Sequence, residues 1–447
     1  MKDMTADGFS PATVFSDENL WQSWLDVEAA LARSQARLGI IPQSAADDIT
    51  ANASVKIIGA NAISASIAQT MAPVLSLTRC LADKCGDSGN YVHWGATTQN
   101  VAQTGRLLLM RRAEAQTLGA LGRALNTLGD WAEEFCDAPM VARTNRTHAL
   151  PITFGFKVAG WIAELDRTVT RVCDSQERVY QLSFGGAVGA YHSFGDHGPA
   201  LAQDLARELG LGVLAVPNRT ANDLFVDHVV QLSMLGMSIE RIALEFYQMM
   251  ESEVSEMREQ LSDGVVGSST MPHKYNPKYV VNVIAKCAAL RAKAAPAMEA
   301  GRPSHEGDSA ANQLLTIVLD ETVPLAWTVT QRFAHLLEIL EPDTQRMQHN
   351  LSLHGEKLAT ENLMMGLAKH TGRGAAHDLI HHAIQEAQST GASVTDAMLA
   401  IPQVAQIGQR EARALLNAHN YAGSSIAIAK SAGTRAKALA AALKDLQ

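Results

Sequence analysis

The sequence is poor in aromatic residues and in cysteine. Phe, Trp and Tyr make up 5% of its 447 residues, and the five cysteines are scattered without a Cys-x-x-Cys pair. This spacing argues against a zinc ribbon and against a disulfide framework. The N-terminal residues also lack the apolar run of a secretory signal. We therefore expect a protein of a reducing compartment, the cytoplasm.

Positive charge is also in short supply. Lys and Arg number 37 against 46 Asp and Glu, a formal net charge of −9. An acidic chain has no electrostatic reason to bind nucleic acid. The stretch 57–78 carries no formal charge, but its asparagine, glutamine, serine and threonine residues make it too polar for a membrane span. We expect neither a nucleic acid nor a membrane as partner.

What the sequence does contain is helical periodicity. Between residues 221 and 261 apolar residues recur at steps of three and four without a proline, which predicts one helix of about 55–60 Å. Similar patterns cover 15–38, 107–135, 153–182, 278–300 and 312–340, and we expect Pro324 to kink or break the last of them.

Helices this long indicate an all-α fold with a central bundle that other subunits complete. We divide the chain into an N-terminal helical domain (1–105), a central long-helix domain (106–354) and a C-terminal helical cap (355–447). Glycines and a proline punctuate the shorter helices of the cap.

A loop between two helical patterns, 264–277, concentrates the residues most suited to chemistry. It reads Gly-Val-Val-Gly-Ser-Ser-Thr-Met-Pro-His-Lys-Tyr-Asn-Pro. Backbone N–H groups of such a loop can hold a carboxylate, with Lys274 adding charge and Asn276 a directional amide. A serine facing these groups could be stabilised as an oxyanion and act as a base. Composition alone would equally fit an ordinary flexible connection.

The order of residues in this loop resembles the signature of the fumarase/aspartase superfamily. Residues 93–100 (His-Trp-Gly-Ala-Thr-Thr-Gln-Asn) and 143–155, which include His148, resemble the family's two substrate-binding segments. The His-Trp-Gly-Ala-Thr run and the place of His148 are most similar to 3-carboxy-cis,cis-muconate cycloisomerases, next to the adenylosuccinate lyases. The sequence departs from the family at Asn145, Val281, 220–224 and Gly307, where a histidine, a glutamate and arginines are usual.

The resemblance implies a role for each matching residue. Ser268 would be the base, and His148, or failing that His93, would be the acid. The remaining positions would bind substrate carboxylates: His93, Thr97, Thr98, Ser269, Lys274 and Asn276. The family implies a homotetramer whose active sites combine segments of three subunits, with neither a metal nor an organic cofactor.

The implied function is that of a lyase or cycloisomerase that removes a proton next to a carboxylate of a di- or tricarboxylate, nearest to carboxymuconate cycloisomerase. One alternative is a fumarate-releasing C–N or C–O lyase, or a decarboxylase of an unsaturated tricarboxylate. The missing arginines and Val281 motivate it. A second alternative is a structural homologue without catalysis, against which the intact loop 264–277 argues.

Overall fold

The computed structural model describes residues 8–262 and 264–444, which fold mainly into α-helices and confirm the all-α class. The N-terminal helices are α1 (Asp17–Arg37), α2 (Gln43–Asn52), α3 (Val55–Ile58), α4 (Ala60–Thr70) and α5 (Pro73–Cys85). Their apolar side chains share a core that includes Leu25, Ile63 and Leu77. No helix in the described ranges is long and apolar enough to cross a membrane.

The longest helices lie at the centre of the molecule. This part contains α6 (Thr98–Glu134), α7 (Phe154–Val179), α8 (Gly198–Leu209), α9 (Asp223–Met249), α10 (Tyr279–Arg291), α11 (Ala294–Ala300) and α12 (Ser309–Ile339). Helix α6 packs on α12, α7 packs on α9, and α9 packs on α10. The main core fills the space between them, with Trp161, Phe246 and Phe333 fully buried.

Three short strand pairs occur within the described ranges. Strands β1 (Pro139–Thr144) and β2 (Thr147–Thr153) form an antiparallel hairpin, whose turn residues Asn145 and Arg146 both adopt left-handed φ angles. Strands β3 (Gln181–Leu182) and β4 (Gly212–Val213) are parallel. Strands β5 (Met257–Glu259) and β6 (Leu340–Pro342) pair antiparallel and link the ends of two long helical segments.

The single helix predicted over 221–261 is wrong beyond Met249. Helix α9 ends at Met249 and is therefore about 40 Å long. Ser255 adopts a left-handed φ of 54°, and the N–H of Glu256 donates to the carbonyl of Met249 at 2.8 Å. The apolar spacing runs on through this turn, so periodicity alone did not mark the helix end.

Pro324 does not break α12, which continues from Ser309 to Ile339. Its neighbours Val323 and Trp327 are buried in the main core, and this packing retains the helix although proline lacks an N–H donor. The pattern over 278–300, by contrast, forms two helices, α10 and α11.

The C-terminal part has a core of its own within residues 363–416. Its helices are α13 (Thr344–Ser352), α14 (Gly355–Leu358), α15 (Thr360–Thr371), α16 (Arg373–Thr390), α17 (Val394–Leu399), α18 (Gln409–Leu415) and α19 (Ser425–Lys444). Helix α19 returns to the centre and packs on α6 and α7. The division into three domains stays a prediction.

Candidate functional site

His93 is held by a buried carboxylate of α1. Its Nδ1 lies 2.6 Å from Oε1 of Glu28, and its backbone N–H donates to Oε2 at 3.1 Å. Glu28 is 1% exposed, and His93 adopts a left-handed φ of 60°. Burial alone would lower the pKa of His93, but the hydrogen bond and the negative charge of Glu28 together raise it above its ordinary value. The geometry therefore favours a charged imidazolium here.

Thr97 and Thr98 begin α6. Thr97 is the N-cap, and its side chain and that of Asn100 form a reciprocal capping box. The Asn100 amide also donates to the carbonyl of Ser183 at 3.0 Å, which ties the start of α6 to the strand segment before Gly185. Thr98 lines a cavity of about 1010 Å³ together with Arg219 and Gly307.

His148 lies on β2 opposite Arg143 of β1. It lines a second cavity, of about 550 Å³, with Arg143 and Lys157. Its Nδ1 is buried without a hydrogen-bond partner in the described chain, and its ring meets that of His354 edge-on, 5.2 Å between centroids. Burial, followed by the positive charge of Arg143, lowers the pKa of His148, which favours the neutral imidazole.

Arg143 is itself fixed by a buried carboxylate. Its two terminal nitrogens donate to both oxygens of Glu256, at 2.9 and 2.7 Å, and Asn350 donates to the same carboxylate at 2.8 Å. Glu256 has no solvent exposure. A bidentate pair in this environment holds the β1–β2 hairpin, and with it His148, in one position.

In the loop 264–277, the Ser268 hydroxyl oxygen accepts hydrogen bonds from the backbone N–H of Met271 at 3.1 Å and, more weakly, of Thr270 at 3.4 Å. Two backbone donors on one oxygen stabilise negative charge on it. Gly267 makes this turn possible, because a Cβ atom there would lie 2.6 Å from the Lys274 carbonyl oxygen. Ser268 is partly buried, and Ser269 is exposed.

Lys274 is exposed and Asn276 is partly buried, and neither side chain bonds to the rest of the described chain. The exit of the loop is fixed by Glu259, whose carboxylate accepts the backbone N–H groups of Lys278, Tyr279 and Val280 at 2.7 to 3.1 Å. A carboxylate at this place caps the start of α10. Val281, where the family has a glutamate, is 38% exposed.

The Thr98 and His148 segments line different cavities of the chain. Thr98 lines the larger cavity and His148 the smaller one, and neither of these two cavities is lined by a residue of the loop 264–277. The structure thus places Thr98 and His148 at two different cavities, with the loop 264–277 outside both linings.

Sequence reasoning missed the residues that hold these groups in place. They are Glu28 behind His93, Glu256 behind Arg143, Glu259 behind the loop, and Arg219 in the larger cavity. The one available signal was a carboxylate inside an otherwise buried stretch, as for Glu28 between Val27 and Ala29.

The all-α bundle presents a serine-containing loop in which the Lys274 side chain has no partner within the residues that the structure describes. The chain belongs to the fumarase/aspartase superfamily of lyases: the family model described as "Lyase" matches residues 6–291, and the one described as "Adenylosuccinate lyase C-terminus" matches residues 357–432.

Named relatives and a solved structure agree with this family. The chain is 35% identical to a 3-carboxy-cis,cis-muconate cycloisomerase of Pseudomonas aeruginosa, over 84% of this chain and 82% of the relative. It is 32% identical to trans-aconitate decarboxylase 1 of Mycosarcoma maydis, over 92% and 84%. The crystal structure of a fumarate lyase from Mesorhizobium sp. BNC1 superposes with a TM-score of 0.87 at 30% identity, covering 96% of this chain and 99% of that one.

Proposed function

We propose that this lyase acts on an unsaturated tricarboxylate or its lactone, by proton transfer at the carbon next to a carboxylate, as 3-carboxy-cis,cis-muconate cycloisomerases do. The observation that carries the proposal is the Ser268 oxygen, which accepts two backbone N–H groups in a loop that also holds Lys274, whose side chain has no partner in the described ranges. A hydroxyl group in such surroundings can be kept as an oxyanion and serve as a base.

In the lactone-opening direction, the reaction is an elimination in two steps. The Ser268 oxyanion takes the proton α to a carboxylate, and the electron pair of the C–H bond moves into that carboxylate to give a dianion. Lys274 and Asn276 stabilise the dianion, with Ser269 and loop N–H groups beside them. The pair then returns to form the C=C bond, and the β C–O bond breaks. Cyclisation is the reverse.

His148 is the proposed acid for the oxygen that leaves. Its Nδ1 has no hydrogen-bond partner in the described chain and can therefore bind a substrate, whereas Arg143 and Lys157 of the same cavity already pair with Glu256 and Glu245. His93, Thr97 and Thr98 are the proposed partners of a second carboxylate. Glu28 supports this role for His93, because it favours the charged imidazolium.

We propose a homotetramer in the cytoplasm, with each active site formed by segments of three subunits. Exposed apolar side chains on the long helices support the assembly: Met237, Leu244 and Tyr247 on α9, Val281 on α10 and Ile317 on α12. Large exposed apolar groups of this number mark an interaction surface. Thr98 and His148 line different cavities, and no residue of the loop 264–277 lines either one, which supports sharing of the site.

Decarboxylation of an unsaturated tricarboxylate is the second candidate. Val281 favours it, because a hydrophobic side chain stands where the family has the glutamate that pairs with its histidine. The resemblance to trans-aconitate decarboxylase 1 supports it as well. In this reaction a C–C bond breaks, CO₂ leaves without its electron pair, and a proton is added to the resulting carbanion, so a proton donor is needed but a paired base is not.

A substrate panel tests the proposal. Purified protein is incubated with 3-carboxy-cis,cis-muconate and its lactone, trans-aconitate, and N- and S-substituted succinates, and products are followed by ultraviolet absorbance and mass spectrometry. We expect interconversion of the muconate and its lactone. Release of CO₂ from trans-aconitate would favour the second candidate, and release of fumarate would support neither. If none of the compounds is turned over, the proposed function fails and the alternative of a non-catalytic homologue is favoured.

Two variants test the site. Ser268→Ala should reduce kcat by at least about 10³-fold, a loss typical for a group that acts directly on the reacting atoms. Ser262→Ala, at the entry of the same loop, is the matched control and should leave kcat unchanged. Mixing subunits of Ser268→Ala and His148→Asn should restore partial activity, because some sites of a mixed tetramer receive both intact segments. Mixed tetramers without any activity would contradict the shared site.

A further inference from the structure

Arg219 stands out among the residues of the larger cavity. It lies in the segment between β4 and α9, and its guanidinium group lines the cavity with Thr98 and Gly307. The other arginine of the cavity, Arg106, pairs with Asp320. Arg219 forms no ion pair with any carboxylate in the described ranges.

Neutral acceptors hold the guanidinium group in place. Its Nε and Nη2 donate to Oε1 of Gln99, at 3.1 and 2.8 Å, and its Nη1 donates to the carbonyl of Ala187. Gln99 in turn donates to the Arg219 carbonyl at 2.6 Å. Burial lowers the pKa of Arg219, which reflects loss of water from a charge that has no counter-ion. The group is therefore fixed in orientation while its charge is left uncompensated.

Gly307 leaves space beside this charge. A Cβ atom built on Gly307 would lie 3.6 Å from Nη2 of Arg219, an ordinary contact distance, so the glycine leaves room for a further group beside the guanidinium group. The neighbouring Asp308 forms no ion pair with Arg219 within the described ranges, and its carboxylate instead accepts hydrogen bonds from Ser304 and from the backbone N–H groups of Ala310 and Ala311.

Uncharged donors face the same cavity. Thr98 offers a hydroxyl group. The Asn312 side chain accepts from Asn222 through its oxygen, at 3.3 Å, which leaves its NH₂ group able to donate. A guanidinium group, an amide and a hydroxyl around open space are the groups that bind a carboxylate.

We propose that Arg219 binds one carboxylate of the substrate and selects for tricarboxylates over dicarboxylates. This inference rests on the proposed function and adds a residue to it. The carboxylate takes the open space beside Gly307 and supplies the counter-ion that Arg219 lacks, with Asn312 and Thr98 donating to it.

The test measures binding separately from turnover. Isothermal titration calorimetry with propane-1,2,3-tricarboxylate and with glutarate compares the wild type with Arg219→Gln, which keeps a hydrogen-bond donor and removes the charge. We expect Arg219→Gln to weaken binding of the tricarboxylate about 10–100-fold, as loss of a charged hydrogen bond predicts, and to change glutarate binding less than about threefold. Arg219→Lys should recover part of the affinity. Arg302→Gln, a strongly exposed arginine, is the control for net charge.

A second variant guards against misfolding of the Arg219 segment. Gly307→Asp leaves Arg219 intact but places a carboxylate next to its guanidinium group. This carboxylate would pair with Arg219 in place of the ligand, so the variant should not bind the tricarboxylate. Equal losses for both probes, or no loss in either variant, would overturn the inference. If Arg219→Gln leaves KM for a turned-over tricarboxylate unchanged, the inference fails and the proposed function stands. If binding depends on Arg219 while no panel compound reacts, the carboxylate site stands and the proposed function fails.

Discussion

The Nδ1 atom of His93 lies 2.6 Å from a carboxylate oxygen of Glu28, a residue 65 positions earlier in the chain and almost without solvent exposure. Because this contact raises the pKa of His93, the ion pair stabilises the fold fully below the unfolded histidine's pKa near 6.5. The stabilisation is lost as pH rises through the higher pKa that His93 has in the folded protein.

Glu28→Gln should therefore lower the free energy of unfolding mainly at low pH. We expect a loss of roughly 1–3 kcal/mol at pH 6, the range for hydrogen bonds to charged groups, and a smaller loss at pH 9. Urea unfolding at both values measures the difference. Glu18→Gln, an exposed position on the same helix, is the control. An equal loss at both pH values would show that Glu28 acts without the charge of His93.

Gly267→Ala should disable the loop without unfolding the protein. The added methyl group would meet the Lys274 carbonyl oxygen at 2.6 Å, so the turn that gives Ser268 its two N–H donors must open. We expect kcat to fall about 10²-fold, as for loss of an oxyanion donor, with the melting temperature within about 2 °C of wild type. Gly160→Ala, whose Cβ has open space around it, should change neither quantity.

The pKa of His148 should lie below the ordinary value of a histidine, and the pKa of His93 should lie above it. Burial and Arg143 hold the pKa of His148 below its ordinary 6.5, so its protonated form is populated only at low pH. If His148 is the acid, kcat/KM falls as pH rises through a midpoint below 6.5, and His148→Asn removes this limb of the profile. Histidine NMR titration gives the midpoint directly. His349→Asn, an exposed position, serves as control, and a midpoint above 6.5 would contradict the expectation.

Glu259→Ala should release the exit of the loop. Its carboxylate satisfies three backbone N–H groups at the start of α10, and nothing else in the described chain accepts from them. We expect a loss of about 1–3 kcal/mol in stability and faster tryptic cleavage after Lys274 and Lys278. The control is Glu341→Ala on the neighbouring strand, which removes a partly buried carboxylate that pairs with Arg258 and not with the loop, and this variant should be cleaved at the wild-type rate. Unchanged cleavage in Glu259→Ala would show that the loop is held elsewhere.

Much of the helical framework could be predicted from local sequence. The pattern over 15–38 corresponds to α1, which begins after its N-cap residue Ser16. The pattern over 153–182 corresponds to α7 within a few residues, because an amphipathic stripe extends over the whole helix. The end of α9 could not be found in this way, since apolar residues at helical spacing continue beyond Met249 although the backbone turns there.

The loop 264–277 was recognisable from sequence because its residues are contiguous. The residues that support the site were not, because each acts on a partner far along the chain: Glu28 on His93, and Glu256 on Arg143 across 113 positions. A local pattern contains no information on which of 46 acidic residues will be buried opposite a given cation. In the proposed tetramer, the positions of His93, His148 and Ser268 relative to one another would depend, in addition, on how the subunits assemble.

The β5–β6 pair has a consequence for how this chain can change over evolution. It joins the chain segment after α9 to the end of α12, and Glu259 within it fixes the exit of the loop. The lengths of α9 and α12 therefore determine the position of the loop. One residue inserted into α12 would rotate its end by about 100° and move it by about 1.5 Å. Changes in helix length should accordingly be tolerated far less than substitutions on the helix surface.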